Sequence, residues 1–310
     1  MNTKPLLLLL FGLIAFVNHS CDRTVEFIPP TDEPPPVAEV FQNQELTIHE
    51  FKVEATVGDT LTLDDQSGFA PTILVIPENL CTYGNGEACQ GKLEVQLIQA
   101  FTKGDMIFSN VPTSSAGVPL ASGGAFYLNI TQNDQQLQIS PDASFLIKAS
   151  VERTEGQNTD MKFYQLVSDT VDSVVQNDWR LQGDLAGIDE VYYTLEFDEL
   201  DQWMNIDVPI DETLSTYSVK VSQDQLEIPD ADVYLALENF NSVVRAAYDE
   251  QDGLYKADIP DNSEFEIVAI HKEGEEWFWD VHLAEETEEF STLELELVVY
   301  QELVTKLKSL

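Results

Sequence analysis

Two thiols flank a short turn in this sequence, and a disulfide is the chemistry that their spacing favours. Cys81 and Cys89 enclose TYGNGEA, a stretch rich in Gly and Asn of the kind that closes a β-hairpin. The chains beside such a turn lie close enough for a bridge, which would stabilise the fold by about 2.5 kcal/mol. A metal site from the same thiols is the alternative, and it requires further Cys or His residues nearby. The histidines are distant in sequence: His19, His49, His271 and His282. We therefore predict a Cys81–Cys89 disulfide and no metal.

Aromatic side chains offer a second chemistry, the stacking of a ring on the face of a sugar. Trp179, Tyr192, Tyr193 and Trp203 lie in one stretch of sequence and are candidates for such a ligand platform. Residues of these types more often pack against one another inside a protein. The core interpretation is the one that we favour, and the platform is the alternative.

Carboxylates are abundant, but their spacing matches no calcium loop. The chain has 56 acidic residues, yet it lacks the alternating acidic positions, the Gly and the late Glu of an EF-hand. The acidic DEQDG at residues 249–253 has no ligand pattern either. We predict that the acidic surface serves solubility, with calcium binding as the alternative.

Motifs of catalysis are missing from the sequence. It contains no His-Glu-x-x-His, no Gly-x-Ser-x-Gly and no glycine-rich phosphate loop, and HEF at His49 lacks a second histidine. A carboxylate pair for glycoside hydrolysis stays open, because acid and nucleophile come together only in the folded chain. We predict a protein that is not an enzyme and needs no cofactor.

The net charge narrows the range of partners. The formal charge is −41 over 310 residues, with 15 basic residues. Binding to nucleic acid requires basic patches that replace counterions, so nucleic acid is not a predicted partner. The same argument disfavours binding of the folded part to anionic lipid headgroups.

The first residues resemble a bacterial lipoprotein signal peptide, which we assign to residues 1–20. Lys4 precedes an apolar stretch over residues 6–17 that is too short to span a bilayer, and Ser20 stands directly before Cys21. Asn18 occupies a position where Leu is usual, and looser signals of this kind occur in lipoproteins of the Bacteroidetes. The resemblance implies a lipid on Cys21, including palmitate, and anchoring to the outer membrane on its periplasmic or surface face. A secreted protein cut near Ser20 is the alternative.

Cysteine number agrees with a lipid on Cys21. The chain has three cysteines, so one is left over in an oxidising compartment, and lipidation of Cys21 leaves Cys81 and Cys89 as a pair. After Cys21, residues 21–44 contain the prolines Pro29, Pro30, Pro34, Pro35 and Pro36. Such a segment holds an extended chain, and we predict a semi-rigid tether.

The remainder of the chain shows the alternation of β-strands. Apolar and polar residues alternate in LTIHEFKVEA, KLEVQLIQAF, AFYLNITQ and SFLIKASVE, with turn signals between them. Long amphipathic helices and βαβ units are missing from the pattern. We predict an all-β fold, with tandem antiparallel β-sandwich modules after the signal peptide and the tether.

Part of this β region resembles a ZU5-like module found in Bacteroidetes lipoproteins. The resemblance is carried by ILVIPENL, GKLEVQLIQAFTKGDMI, VPTSS and LASGGAFYLNI, and we assign the module to residues 45–152. Related modules in animal proteins mediate protein contacts, and some cut themselves at His-Phe-Ser. That motif is absent here, since Ser291 follows Glu289 and Phe290, so self-cleavage is not expected. Gly123 and Gly124 precede an alternating strand and predict a bulge.

Two further segments complete the predicted organisation. We assign residues 153–212 to a connecting β segment and residues 213–310 to an immunoglobulin-like β-sandwich with a short C-terminal helix. In EEWFWDVHL, alternation places Trp277 and Trp279 on the same apolar face of a strand. We predict that both are core residues. Leu303, Leu307 and Leu310 share one side of the predicted helix.

These observations favour one class of function over another. We predict a membrane-anchored, non-catalytic cell-envelope lipoprotein whose β modules contact a protein or a cell-wall component. The alternative is a surface lipoprotein that binds or processes carbohydrate. Exposed Trp and Tyr residues in one groove would favour the alternative, and buried ones would disfavour it.

Overall fold

β-Strands make up most of the described chain, which confirms the all-β prediction. The computed structural model describes residues 46–63, 68–154, 156–171, 174–285 and 290–310. All of them belong to one unit, assigned to Pro35–Leu310. The predicted signal peptide and tether, including Cys21, lie outside the described residues. No helix in the described part has the length and apolar character needed to cross a bilayer.

A first sandwich is built from strands between residues 48 and 209. Its strands are β1 (Ile48–Glu54), β2 (Asp59–Leu63), β3 (Thr72–Ile76), β4 (Cys81–Thr82), β5 (Lys92–Ala100), β6 (Ser114–Ser115), β7 (Val118–Gln132), β8 (Gln135–Gln136), β9 (Gln138–Ile139), β10 (Phe145–Ser150), β11 (Lys162–Val171), β12 (Val174–Asp184), β13 (Gly187–Ile188), β14 (Tyr192–Phe197) and β15 (Gln202–Pro209). An eight-stranded sheet has the order β1-β5-β7-β15-β11-β12, with β6 and β8 paired to β7. A five-stranded sheet, β13-β14-β10-β3-β2, faces it across the first core.

Alternation explains how the strands of the first sandwich cover its core. In β5, Leu93, Val95 and Leu97 point into the first core, whereas Ile98 on the opposite face belongs to a different core. An antiparallel strand places successive side chains on opposite faces, so one strand can supply both cores. The eight-stranded sheet is therefore buried on both faces over part of its length.

The predicted bulge lies in the long strand β7. Asn205 of β15 pairs with Ala125 and Asp207 pairs with Ser122, so Gly123 and Gly124 stand opposite a single residue. Gly124 has a φ of +127°, and a Cβ atom there would lie 2.5 Å from a ring carbon of Phe101. Only glycine fits such a position without displacing the ring.

The predicted boundary at residue 152 does not coincide with a boundary between sheets. Strands β11, β12 and β15 extend the eight-stranded sheet, and β13 and β14 extend the five-stranded sheet. The segment 153–212 thus builds the first sandwich together with residues before it. Short-range patterns did not indicate this arrangement, because strand partners are chosen by pairing across long sequence distances.

A second sandwich follows. Its strands are β16 (Leu214–Gln223), β17 (Leu226–Glu227), β18 (Asp232–Leu237), β19 (Ser242–Asp249), β20 (Leu254–Pro260), β21 (Glu264–Glu273), β22 (Glu276–Glu285), β23 (Ser291–Glu294) and β24 (Glu296–Val298). They form a nine-stranded sheet that folds over its own core. The fold occurs at β19, whose first residues pair with β18 and whose last residues pair with β20. Strand β23 runs parallel to β16, and β24 continues from it to pair with β22, so this segment joins the two edges.

Two short helices and a third core join the sandwiches. Helix α1 (Lys103–Phe108) begins with a capping box between Thr102 and Asp105, and helix α2 (Tyr300–Leu307) ends near the C-terminus. Helix α2 lies where the sequence predicts one, with Leu303 and Leu307 fully buried, whereas Leu310 lies beyond the end of the helix and is half-buried. The third core combines the outer face of the eight-stranded sheet with both helices and the outer face of β18, β21 and β22.

Candidate functional site

The predicted disulfide pair lies at the edge of the first core. Cys81 and Cys89 are buried and carry free thiols in this structure. The backbone N–H of Cys89 donates to the carbonyl of Cys81 at 3.1 Å, and Thr82 forms a bridge with Ala88. Residues opposite each other in a hydrogen-bonded antiparallel pair have Cα atoms about 5.5 Å apart, a separation that a disulfide spans. The bridge stays a prediction with favourable geometry.

The four residues of the predicted aromatic platform do not share one surface. Trp179 is fully buried in the third core, where its Nε1 donates to the carbonyl of Pro112 at 2.6 Å. Tyr193 is fully buried in the first core, and its neighbour Tyr192 lies half-buried on the opposite face of the five-stranded sheet. Trp203 is half-buried at the end of the eight-stranded sheet. Of the four, Trp203 lines a groove of the described surface.

This groove forms where two strands of the eight-stranded sheet part. Strand β11 pairs with β15 from Lys162–Asp207 to Gln165–Met204. Beyond that point, β11 continues only with β12, while β15 stays paired with β7 through Gln202 and Leu128. The space between the diverging strands is a groove of about 490 Å³. We call it the fork groove, lined by Gln165, Leu166, Val167, Glu199, Asp201, Gln202 and Trp203.

Amide and carboxylate groups make the polar part of the fork groove. Gln165 Nε2 donates to Glu199 Oε2 at 2.5 Å and also to Gln202 Oε1. Gln165 pairs with Met204, and Gln202 pairs with Leu128. Met204 and Leu128 belong to the first core, so both glutamines lie on the face of the sheet that covers this core. They occupy the end of the sheet, where the apolar pattern of that face gives way to polar residues.

An aromatic corner makes the second part of the groove. The rings of Trp203 and Tyr127 lie 5.8 Å apart, tilted by 49°, and Leu166 packs against the same third core. The Tyr127 hydroxyl donates to Asp201 Oδ1, and the Asp201 N–H donates to the carbonyl of Leu128 at 2.9 Å. Burial, followed by the bond to Asp201, raises the pKa of Tyr127. The phenol therefore remains a neutral donor that fixes the Asp201 carboxylate.

The fork groove suits recognition of a polar ligand. Its volume falls within the range of about 300–1,000 Å³ typical of small-molecule sites. Apolar and aromatic groups stand beside carboxylates that are held by neutral donors, Gln165 and Tyr127. Such an arrangement can accept hydrogen bonds from hydroxyl or amide groups while a ring covers their carbon skeleton.

The acidic loop at residues 249–253 is organised by an internal cation. Lys256 Nζ contacts Asp249 Oδ2 at 2.8 Å and also contacts Asp252. Asp249 Oδ1 accepts from the N–H of Gln251 at 2.9 Å. Within the described ranges, no group of three or more His, Cys, Asp or Glu side chains is arranged to hold a metal ion.

Most residues of the fork groove carry no motif. Gln165, Glu199, Asp201 and Gln202 were not among the predicted site residues. Trp203 was the one sequence signal that pointed to this place. The others come together only because β11 and β15 pair and then part.

Comparison with known proteins adds no relative. No protein-family model matches the chain, and neither a curated protein nor a solved structure is significantly similar to it.

Proposed function

We propose that this protein is a non-catalytic cell-envelope lipoprotein, anchored to the outer membrane by a lipid on Cys21, whose folded part contacts an envelope component. The tether at residues 21–44 would hold the two sandwiches away from the membrane surface. Two resemblances support the proposal. Residues 45–152 resemble ZU5-like modules, whose animal relatives mediate protein contacts. Residues 213–310 resemble immunoglobulin-like spacers.

One observation carries the proposal for the folded part, and this is the fork groove. It brings a half-buried Trp203 next to polar side chains that are fixed by hydrogen bonds to one another. A concave site with a few oriented polar groups is the usual form of a binding site. The third core supports the proposal as well, because it packs the two sandwiches together and because Trp203 and Leu166 of the groove pack against it.

Fractionation of cells that express the full chain tests the anchor. The wild-type protein is expected in the membrane fraction, and Cys21→Ser is expected in the soluble fraction, because lipid attachment requires the thiol. Cys89→Ser serves as the matched control and should stay with the membrane. Membrane association of Cys21→Ser, or an unmodified Cys21 in the mature wild-type protein, would contradict the anchor.

Site-directed crosslinking tests the contact. A photoreactive amino acid at Gln202 is expected to form an adduct with a defined envelope component in intact cells. The same group at Leu226, which is 70% exposed on the second sandwich, should not form that adduct. The same adduct at both positions, or none at Gln202, would count against the groove as the contact site.

Carbohydrate processing is the second candidate, favoured by the presence of Glu199 and Asp201 in one groove. Glycoside hydrolysis uses a pair of carboxylic groups. Release of reducing sugar ends from a glycan by the wild-type protein, and its loss in Glu199→Gln, would establish this activity. Without such release, binding remains the better account of the groove.

A further inference from the structure

The fork groove contains hydrogen-bonding groups that are not engaged by any residue the structure describes. Gln165 donates with its Nε2 to two neighbours, but Gln165 Oε1 and Gln202 Nε2 make no hydrogen bond to any described residue. Trp203 Nε1 likewise has no partner in the described chain. The lining thus offers donors and an acceptor whose side chains are already fixed in place.

We propose that the fork groove binds neutral, hexose-based oligosaccharides. Sugar hydroxyls both donate and accept, so they can pair with the free amide groups of Gln165 and Gln202 and with the Glu199 carboxylate. In the opening between β11 and β15, the C–H face of a pyranose ring can pack on Trp203 beside Leu166, which lies on the same face of the sheet. This inference names the ligand of the contact site and rests on the proposed function only in treating the groove as that site.

The charge of the groove selects against anionic glycans. Glu199 and Asp201 are among its seven lining residues, and none of these seven is a Lys or Arg. The chain as a whole carries a formal charge of −41. A uronate, sulfate or phosphate group in the groove would be repelled at short range and would find no lining cation to pair with. A neutral sugar avoids that repulsion and uses the same carboxylates as acceptors.

An extended peptide is the competing occupant, and its binding would depend on different atoms. A peptide that entered between β11 and β15 would bind mainly through backbone hydrogen bonds to the strand edges. Its affinity would depend little on the ring of Trp203 or the amide of Gln202. The two occupants therefore respond differently to the same side-chain substitutions.

Intrinsic fluorescence gives a direct readout of the site. Trp203 is half-buried, whereas Trp179, Trp277 and Trp279 are at most 8% exposed. An oligosaccharide that packs on Trp203 should protect the accessible tryptophan emission from quenching by acrylamide. The experiment uses the full-length protein in a detergent without a sugar headgroup, because a glycoside detergent would compete for the site.

The probes are neutral and anionic hexasaccharides of similar length. Maltohexaose, cellohexaose and N-acetylchitohexaose are the neutral probes, and hexagalacturonate and a hyaluronan hexasaccharide are the anionic ones. We expect at least one neutral probe to bind by calorimetry and to protect Trp203, and the anionic probes to bind at least about tenfold more weakly, since tenfold corresponds to the loss of one good contact. An acidic strand-forming hexapeptide and a neutral one complete the panel.

Substitutions connect the binding to the groove. Trp203→Ala should weaken binding of the neutral probe by about three- to tenfold, as expected for loss of one aromatic contact. Gln202→Ala should weaken binding of the neutral probe as well, and it leaves the Trp203 ring in place. It therefore tests the site even if Trp203→Ala does not fold, and a thermal melt shows whether each variant is folded. Tyr192→Ala, on the other sheet, is the control and should bind like the wild type.

Three results would overturn the inference. They are no binding of any neutral probe, equal or tighter binding of the anionic probes, and unchanged affinity in both Trp203→Ala and Gln202→Ala. Peptide binding that ignores these substitutions would assign the groove to the competing occupant. Because the membrane fractionation and the crosslinking are scored separately, a protein adduct at Gln202 without sugar binding would leave the proposed function intact and remove only this inference.

Discussion

Asp207 has a carboxyl group in a fully buried position between the two sandwiches. Its Oδ2 accepts from Asn205 Nδ2 at 2.7 Å, and its Oδ1 has no hydrogen-bond partner among the described residues. Asn205 in turn accepts from Ser122, whose carbonyl accepts from Asn241 of the second sandwich. Burial raises the pKa of Asp207 well above its ordinary value, so the protonated form is favoured in the folded protein.

Asp207→Asn is expected to raise stability at neutral pH. A carboxyl group with a raised pKa in the folded state contributes its full stability below about pH 4, and that contribution is lost as the pH rises through the folded-state pKa. Asparagine has nearly the shape of the protonated acid and does not titrate. The free energy of unfolding of the variant should therefore exceed that of the wild type at pH 8, with a smaller difference at pH 4.

Denaturant unfolding at several pH values measures this difference. Asp211→Asn, at an exposed position four residues along the chain, is the matched control and should show no comparable pH-dependent gain. A variant at Asp207 that is less stable than the wild type at pH 8 would mean that a charged Asp207 is needed there, and the protonated interpretation would be wrong.

The thiols of Cys81 and Cys89 give a second prediction. Burial, with a smaller effect of the neighbouring Cys89, raises the pKa of the Cys81 thiol to about 12, so an unbridged Cys81 would react slowly with alkylating reagents. If the predicted bridge forms, reduction should lower stability by about 2.5 kcal/mol. Peptide mapping without reductant should yield one linked pair, and thermal melts with and without reductant measure its effect. Two free thiols and identical melts would contradict the bridge.

The sequence indicated some of these residues and not others. It marked Cys81, Cys89 and Trp203, because a turn between two cysteines and a segment rich in Trp and Tyr are visible in the local sequence. It could not distinguish Trp203 from Trp179, since their exposure is decided by what packs on the outer face of the sheet. The glutamines of the fork groove carry no local signal at all. Their role follows from the place where two strands part.

Strands and helices were largely predictable, whereas their partners were not. Each segment with clear alternation forms a strand, and the C-terminal helix lies where its apolar side predicts it. The two halves of the N-terminal sandwich are separated in sequence, so no short pattern shows that β15 pairs with β7. Trp277 and Trp279 are buried as predicted, but in the third core. Leu283 lies on the same face of β22 but is 61% exposed, because the third core does not extend to this residue.

Gly104 allows the two short helices to meet. A Cβ atom at this position would lie 2.2 Å from the carbonyl oxygen of Leu307 at the end of α2. Gly104→Ala should therefore displace α2 from α1 and destabilise the protein by about 1–3 kcal/mol, the usual range for overpacking. Gly183→Ala is the control, because a Cβ atom there meets nothing within 4 Å.

Chemical denaturation and limited proteolysis at the C-terminus measure the effect of Gly104→Ala. Faster cleavage within residues 300–310 in the variant, with Gly183→Ala behaving like the wild type, would establish that α2 has moved. Equal stability and equal cleavage in both variants would mean that the helices separate without cost, and the third core would then not depend on their close contact.

The charge of the complete chain has consequences beyond any single site. Carboxylates outnumber basic groups by 56 to 15, so most acidic side chains have no cation of their own. In such a protein the repulsion between carboxylates opposes the compact state, and salt screens it over about 8 Å at physiological ionic strength. The melting temperature should therefore rise smoothly as sodium chloride is added.

Calcium should add nothing beyond its ionic strength. The acidic loop at residues 249–253 already directs Asp249 and Asp252 toward Lys256, so a calcium ion bound there would have to displace this internal cation. Specific binding to the folded state would instead raise the melting temperature in a saturable way, with a much smaller effect of magnesium. Thermal melts in sodium, magnesium and calcium chloride at matched ionic strength distinguish these outcomes. The variant Lys256→Gln, which frees the two carboxylates, is the informative comparison. A saturable shift of several degrees with calcium alone in the wild type would show that the acidic surface contains a cation site.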